Sequence, residues 1–374
     1  MKELHDILAA YGMLKQSDKP AALATIMKVR GSTYRRPGAR MLVSAGGNTV
    51  GTVSGGCLES NIAEKCKHVT ASGEPITAVY DMTAEDDAAW GLNQGCNGVI
   101  HVLLEPLGEE NPHLDFLSEC VTQRSSGAVA TVFRVDGEFK ASIGTRVLLN
   151  EKGIVQENIR NPILSAALLE DCKSALAEGT SYVKEYRYME GVVEALIETI
   201  LPPVPLLVFG GGYDAIPLVR FARELGWSVT LVDHRPAFAS RDRFPSADAV
   251  ILARPEEVAA KVVVEKRTAA VIMTHNFGHD LVLLRTLLPS SARYVGLLGP
   301  SMRTERLLKN LRNDGYSPTE SELARLHAPI GMDIGADSPE EIALAILAEI
   351  RAVLAKRGGG FLKNSTGPIH HPHG

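Results

Sequence analysis

Hydrophobic positions along the first 200 residues change period often, and short strand-like stretches alternate with helical ones. Residues 3–15 carry apolar positions at helical spacing; residues 21–29, 40–44 and 49–54 read as strands separated by glycine-rich turns. Ile62, Cys66 and Val69 recur at helical spacing and predict a helix over about 58–70, and further strands are expected at 76–81, 99–105, 129–135 and 146–149. The rhythm then breaks at Leu201-Pro202-Pro203-Val204-Pro205, where proline interrupts both periods. Beyond it, unbroken apolar runs at 206–209, 228–232, 249–252, 270–274 and 294–298 read as parallel strands buried on both faces. A helix at 215–225 follows the first of them. Ser338-Pro339-Glu340-Glu341 predicts the start of a last helix with a capping box, and Ile342, Ile346, Ile350 and Leu354 give it one apolar face.

The expected architecture is therefore α/β: an N-terminal mixed α/β domain over 1–201, a Rossmann-like doubly wound parallel-sheet domain over 202–357, and a flexible tail over 358–374 carrying His370, His371 and His373. No repeat of 20–50 residues is visible. With 374 residues, 45% of them hydrophobic, and a net charge of -5, the chain reads as a globular protein for which neither nucleic acid nor a membrane is an expected partner. Its N-terminus lacks the apolar core of a signal peptide. Five scattered cysteines with no CxxC pair fit reduced thiols in the cytoplasm better than a disulfide framework or a zinc site.

Chemistry concentrates at a few glycine-rich places. Gly51-Thr52-Val53-Ser54-Gly55-Gly56-Cys57-Leu58-Glu59 sets a thiol behind Gly55 and Gly56 where a helical pattern opens. Two readings stand: a small apolar residue beside turn glycines, or a thiolate favoured by a helix N-terminus, fit for sulfur chemistry or for holding an anion. Gly95-Cys96-Asn97-Gly98 repeats the theme, so Cys96 is a candidate to face Cys57 across one pocket. Arg35, Arg36 and Arg40, in the basic loop between two strands, are candidates to pair with an anion there or form a solvated charge run.

In the second half, Gly210 and Gly212 lie between a strand and a helix, as a phosphate-binding turn requires, and Asp233 ends the next strand where a ribose acceptor would sit. The pattern suits a dinucleotide such as NAD(P) or another phosphate-bearing ligand. His275 follows a strand end, placed either to meet phosphate or shuttle a proton, or to brace the loop with Thr274 and Asp280. Ser301 and Arg303 are further candidate phosphate contacts.

In order, these motifs resemble the xanthine dehydrogenase accessory family (XdhC/CoxI): Gly31-Ser32 with Arg36-Pro37-Gly38-Ala39, the Gly55-Gly56-Cys57 run, Gly95-Cys96-Asn97-Gly98, the Gly210–Gly212 turn, Val232-Asp233-His234-Arg235, Thr274-His275, and Ala328-Pro329-Ile330-Gly331-Met332-Asp333. The resemblance implies a chaperone that binds molybdenum cofactor, as molybdopterin in mononucleotide or dinucleotide form. It would guard the cofactor while a terminal sulfur is installed, and deliver it to a xanthine dehydrogenase-type molybdenum hydroxylase. Cys57 would be the metal-side ligand, the glycine turn would hold phosphate across an interdomain cleft, a cysteine desulfurase is an implied partner, and a homodimer is expected. Two departures stand out: Tyr213-Asp214 replaces the histidine usual after the Rossmann glycines, and Gly299-Pro300-Ser301 replaces glycine-serine-arginine. An NAD(P)-dependent oxidoreductase with His275 as proton donor is the alternative.

Overall fold

The computed structural model describes residues 2–17, 19–83, 98–138 and 140–364. They divide after Pro202 into two units, the second being Pro203–Asn364.

In the first unit, α1 (Lys2–Gln16) leads into β1 (Ala21–Gly31), β2 (Arg40–Ser44) and β3 (Thr49–Gly51), then α2 (Glu59–Ser72), β4 (Ile76–Asp81) and β5 (Gly98–Leu107). The same series then recurs: α3 (Pro112–Thr122), β6 (Gly127–Gly137), β7 (Arg146–Asn150), β8 (Val155–Glu157), α4 (Pro162–Glu178), β9 (Tyr182–Tyr188) and β10 (Gly191–Ile200). The sheets have matching orders, β3-β2-β1-β5-β4 and β8-β7-β6-β10-β9, and are antiparallel throughout. This unit is an internal duplication.

Strand alternation explains how the two halves assemble. Ala22, Ala24 and Ile26 of β1 bury against Ile62, Cys66 and Val69 of α2, while Ala128, Ala130 and Val132 of β6 bury against Leu168, Cys172 and Ala175 of α4. The opposite faces meet each other: Leu23 and Leu42 share a core with Val129 and Leu148, and Met27 and Leu103 share one with Phe133 and Leu196. Each such side chain contributes about 1.5–3 kcal/mol by leaving water. The result is two stacked sheets with α2 and α4 outside.

The join carries a swapped pair of ion pairs. Arg40 of the first repeat donates to both oxygens of Glu198 in the second, at 2.8 and 2.5 Å, and to the Gly38 carbonyl at 2.8 Å. Reciprocally, Arg146 donates to Glu105 at 2.5 Å and to the Gly144 carbonyl at 2.7 Å. Gly38 and Gly144 are glycines for the same reason: each has positive φ, and a Cβ would stand 2.7 Å from Glu198 Oε1 or 3.0 Å from Glu105 Oε1.

The second unit is a parallel sheet of order β13-β12-β11-β14-β15-β16, built from β11 (Pro205–Phe209), β12 (Ser228–Asp233), β13 (Ala249–Leu252), β14 (Ala269–Ile272), β15 (Tyr294–Leu297) and β16 (Leu326–His327). Leu206 and Val208 face α5 (Ala215–Glu224) and the last long helix, Pro339–Leu354; Leu207 and Phe209 face Phe277–Leu287 and Ser301–Asn313. Helices on both faces make it doubly wound, with a Rossmann strand order. Short helices at Val258–Lys261 and Glu320–Leu323 complete the element order, so the long helices are α7 (Phe277–Leu287), α8 (Ser301–Asn313) and α10 (Pro339–Leu354), with α6 and α9 the short ones. Ser338 caps α10: its Oγ accepts from Glu341 N–H at 3.3 Å and Glu341 accepts from Ser338 N–H at 3.0 Å.

Several elements had no counterpart in the hydrophobic pattern, among them α3, α4, β8, β9 and β10. The strand expected over 49–54 stops at Gly51, whose φ of 85° turns the chain. Of the expected tail, Leu362–Asn364 forms one 3-10 turn, and His370, His371 and His373 lie outside the described residues.

Candidate functional site

Between β3 and α2 the chain makes a run of bends, with Gly55 at φ 79° and Gly56 at φ 123°. Those left-handed residues turn successive N–H groups inward, toward one carboxylate. Glu59 Oε1 accepts from Val53, Ser54 and Gly55 N–H at 3.1, 2.8 and 3.1 Å; Oε2 accepts from Gly56 and Leu58 N–H at 2.9 and 3.2 Å. The hydroxyls of Thr52 and Ser54 donate to it as well. Burial alone would raise the Glu59 pKa, but the Ser54, Thr52 and backbone hydrogen bonds outweigh it and pull the carboxyl down to about 2. The anion expected at this helix mouth is thus supplied by the chain itself. Only the acid two residues past the cysteine could have announced it.

Cys57 rides on this loop, half-buried, its thiol donating to the Ser54 carbonyl at 3.6 Å. The other described cysteines are buried: Cys66 and Cys120 have thiols pushed up to about 11 by burial, and Cys172 to about 12. Cys96 lies outside the described residues. The basic loop does come to the cysteine loop. Glu3 of α1 pairs with Arg35 and accepts the Thr52 N–H at 3.0 Å, and the Tyr34 ring lies so close over Gly55 that a Cβ there would sit 3.0 Å from it. Arg36 is exposed. Arg40 corrects the expectation made for it: its buried guanidinium is spent on Glu198, so it holds the fold together instead of waiting for phosphate.

In the second unit, Gly210 stands at the switch point between β11 and β14, at φ 111°, where a Cβ would lie 2.4 Å from the Met273 carbonyl. Gly211 and Gly212 follow into α5. The cleft beside them is lined by Gly210, Asp233, Arg235, Thr274 and His279. Asp233 does not offer an open ribose acceptor: its buried carboxylate accepts from Gly211 N–H at 2.7 Å, from Arg235 N–H at 2.8 Å, and from the Arg235 guanidinium at 3.0 and 2.8 Å. His275, at φ 57°, bonds Asp214 through Nε2 at 2.7 Å, tying the glycine turn to the loop after β14. Arg303 likewise is held by buried Asp280, at 3.2 and 2.6 Å, while Thr274 Oγ1 donates to the other Asp280 oxygen at 2.5 Å. Thr274, His275 and Asp280 thus each hold a side-chain partner in the loops beside the cleft. Ser301, the first residue of α8, remains exposed.

A Rossmann unit following a duplicated α/β unit with a glycine-glycine-cysteine loop defines a class, and sequence comparison gives it a name. Residues 206–350 match the model of the XdhC Rossmann domain, and residues 14–81 match that of the XdhC and CoxI family. The chain belongs to the XdhC and CoxI family. It is 33% identical over 354 residues to a protein of Bacillus subtilis named as a probable xanthine dehydrogenase subunit, covering 94% of this chain and 97% of that protein. It is 24% identical to the molybdenum cofactor insertion chaperone PaoD of Escherichia coli, over 90% of this chain and 84% of that one. A crystal structure titled as a xanthine dehydrogenase from Bacillus halodurans superposes with a TM-score of 0.76 at 30% identity, covering 96% of this chain and 98% of the other.

Proposed function

We propose that this protein binds molybdenum cofactor as cargo, protects it while its terminal sulfur is installed, and helps insert it into a xanthine dehydrogenase-type molybdenum hydroxylase. The observation that carries the reading is Cys57: among the described residues it is the one cysteine not fully buried, and it is presented on a glycine loop whose backbone is locked by Glu59. A soft thiol on a rigid, accessible loop suits the metal-sulfur end of the cargo. Relatives named for xanthine dehydrogenase and for cofactor insertion support the partner class. In the second unit, the Gly210–Gly212 turn is the candidate for holding a phosphate or nucleotide group. A cysteine desulfurase as sulfur donor, a homodimer and a cytoplasmic setting belong to the same reading; no described helix is long and apolar enough to cross a membrane.

The dinucleotide-oxidoreductase alternative is the weaker reading, because Asp233 is saturated by Gly211 and Arg235 and His275 is committed to Asp214. The test is cofactor retention after gel filtration. Cys57→Ala should lose at least ten-fold relative to wild type, whereas Cys172→Ala should not; equal retention in Cys57→Ala would remove the thiol from the mechanism.

A further inference from the structure

The two repeats of the first unit differ at one place in a way that opens a cavity. In the first repeat, α1 starts at Lys2, so its opening turn lies over the sheet, and Ile7 reaches Gly51 closely enough that a Cβ on Gly51 would stand 2.8 Å from Ile7 Cδ1. In the second repeat, Pro112 is the first residue of α3, and Gly108-Glu109-Glu110-Asn111 stays out of the helix, so the corresponding turn is missing. At the same spacing, His113 stands for Ile7, Gln156 for Val50 and Glu157 for Gly51. Apolar filling has been exchanged for polar side chains around a cavity of about 360 Å³, within the size range of small-molecule sites.

The floor of this cavity has unused hydrogen-bonding capacity. His113 is only 9% exposed and makes no hydrogen bond among the described residues; burial, reinforced by Arg146 and Arg40, lowers its pKa well below the usual value and keeps the ring neutral. Glu105, 8% exposed, bonds Arg146 through one oxygen, where Glu198 uses both oxygens on Arg40. Leu107 and Leu148 supply apolar wall, and Glu110 and Glu157 stand with Gln156 in the lining. Three carboxylates against one guanidinium repel phosphate and other anions. A flat, uncharged or cationic ring bearing N–H donors satisfies the carboxylate oxygen and the imidazole together.

We propose that the second repeat binds an amino-substituted nitrogen heterocycle, of purine or pterin type, in the cavity between β5, α3 and β7. This does not depend on the role given to Cys57.

The experiment is titration calorimetry of the full chain with guanosine and, separately, with 2-amino-4-hydroxypteridine, each repeated in 10 mM inorganic phosphate. Saturable binding of either ring is expected, unaffected by phosphate at constant ionic strength, and the ring that binds tells purine from pterin. His113→Ile, which installs the first repeat's residue, should weaken it at least ten-fold. Gln156→Trp, on an exposed edge strand, should block it without touching the core. Absence of saturation by both rings in folded wild type, competition by phosphate, or unchanged affinity in Gln156→Trp would each overturn the proposal. If His113→Ile binds as wild type does, the imidazole has no part in it and the proposal also falls.

Discussion

The two repeats of the first unit solve the same structural problem at the start of their outer helix in opposite ways. In α4, Asn161 is an ordinary cap: its side chain accepts from Ile163 and Leu164 N–H at 3.0 Å each, and Pro162 opens the helix. In α2, Leu58 gives no side-chain cap, and Glu59 reaches back from inside the helix to gather the N–H groups of a two-glycine loop. Ile163 of the second repeat occupies the position that Cys57 holds in the first. A duplicated scaffold thus keeps its conventional terminus in one copy and abandons it in the other, where the thiol is. Departure from a cheap local solution marks the place where something besides stability is maintained. The cavity at α3 is the converse, with the second copy departing and the first closed.

The largest effect that would test this comparison comes from the swapped ion pairs. Arg40→Ala removes the buried guanidinium that both oxygens of the half-buried Glu198 accept from, and should cost about 3–5 kcal/mol. Arg146→Ala should cost about 1–3 kcal/mol, because Glu105 borders a cavity that water can enter. Urea unfolding followed by circular dichroism measures both. Equal losses would show that the repeats close equally tightly, contrary to their open and closed geometries.

Much of this organisation was legible beforehand, and the reason is local. Parallel strands buried on both faces leave unbroken apolar runs, so Leu206–Phe209 and Ala269–Ile272 stand out, and the α10 cap is written in four adjacent residues. The duplication is not written locally. Its traces are Ala22, Ala24 and Thr25 against Ala128, Ala130 and Thr131, Gly38 and Arg40 against Gly144 and Arg146, and Cys66 against Cys172, each 106 residues apart. Few identities at so long a spacing escape a search for short repeats, and the insertion before Gly98 shifts the last strand out of step. Site residues failed for another reason. Arg40, Asp233 and Arg303 have the right chemistry for phosphate or ribose, but each meets an opposite charge, Glu198, Arg235 or Asp280, that no spacing rule reveals.

A smaller effect separates the two helix mouths. Glu59→Gln keeps the shape but removes the charge, and should destabilise by about 1–2 kcal/mol once solvent screening of this partly exposed group is discounted. Because the folded pKa lies at about 2 and the usual value is 4.5, the contribution is complete above pH 4.5 and disappears as pH falls toward 2. Asn161→Ala at the other mouth should cost about 1 kcal/mol with no such acid window. Acid titration of unfolding midpoints in both variants distinguishes a charged clamp from a neutral cap; the same pH profile in each would mean that Glu59 acts only through its shape.

A pH slope bears on the converse asymmetry, at the start of α3. His113 titrates in the unfolded chain near its ordinary value of 6.5, but burial first, then Arg146 and Arg40, hold its folded pKa well below that. As pH drops through 6.5, the unfolded chain takes up a proton that the folded protein refuses, so stability falls with a limiting slope of about 1.4 kcal/mol per pH unit from this group. Ile7 at the matching position of the first repeat contributes no such slope. His113→Ile should therefore flatten stability between pH 6.5 and 4.5 while leaving the Glu59 window below 4.5 untouched. Urea midpoints at half-unit pH steps read this directly. A wild-type profile already flat over that interval would mean that the imidazole exchanges protons freely through the cavity, and the desolvated floor that separates the second repeat from the first would be lost.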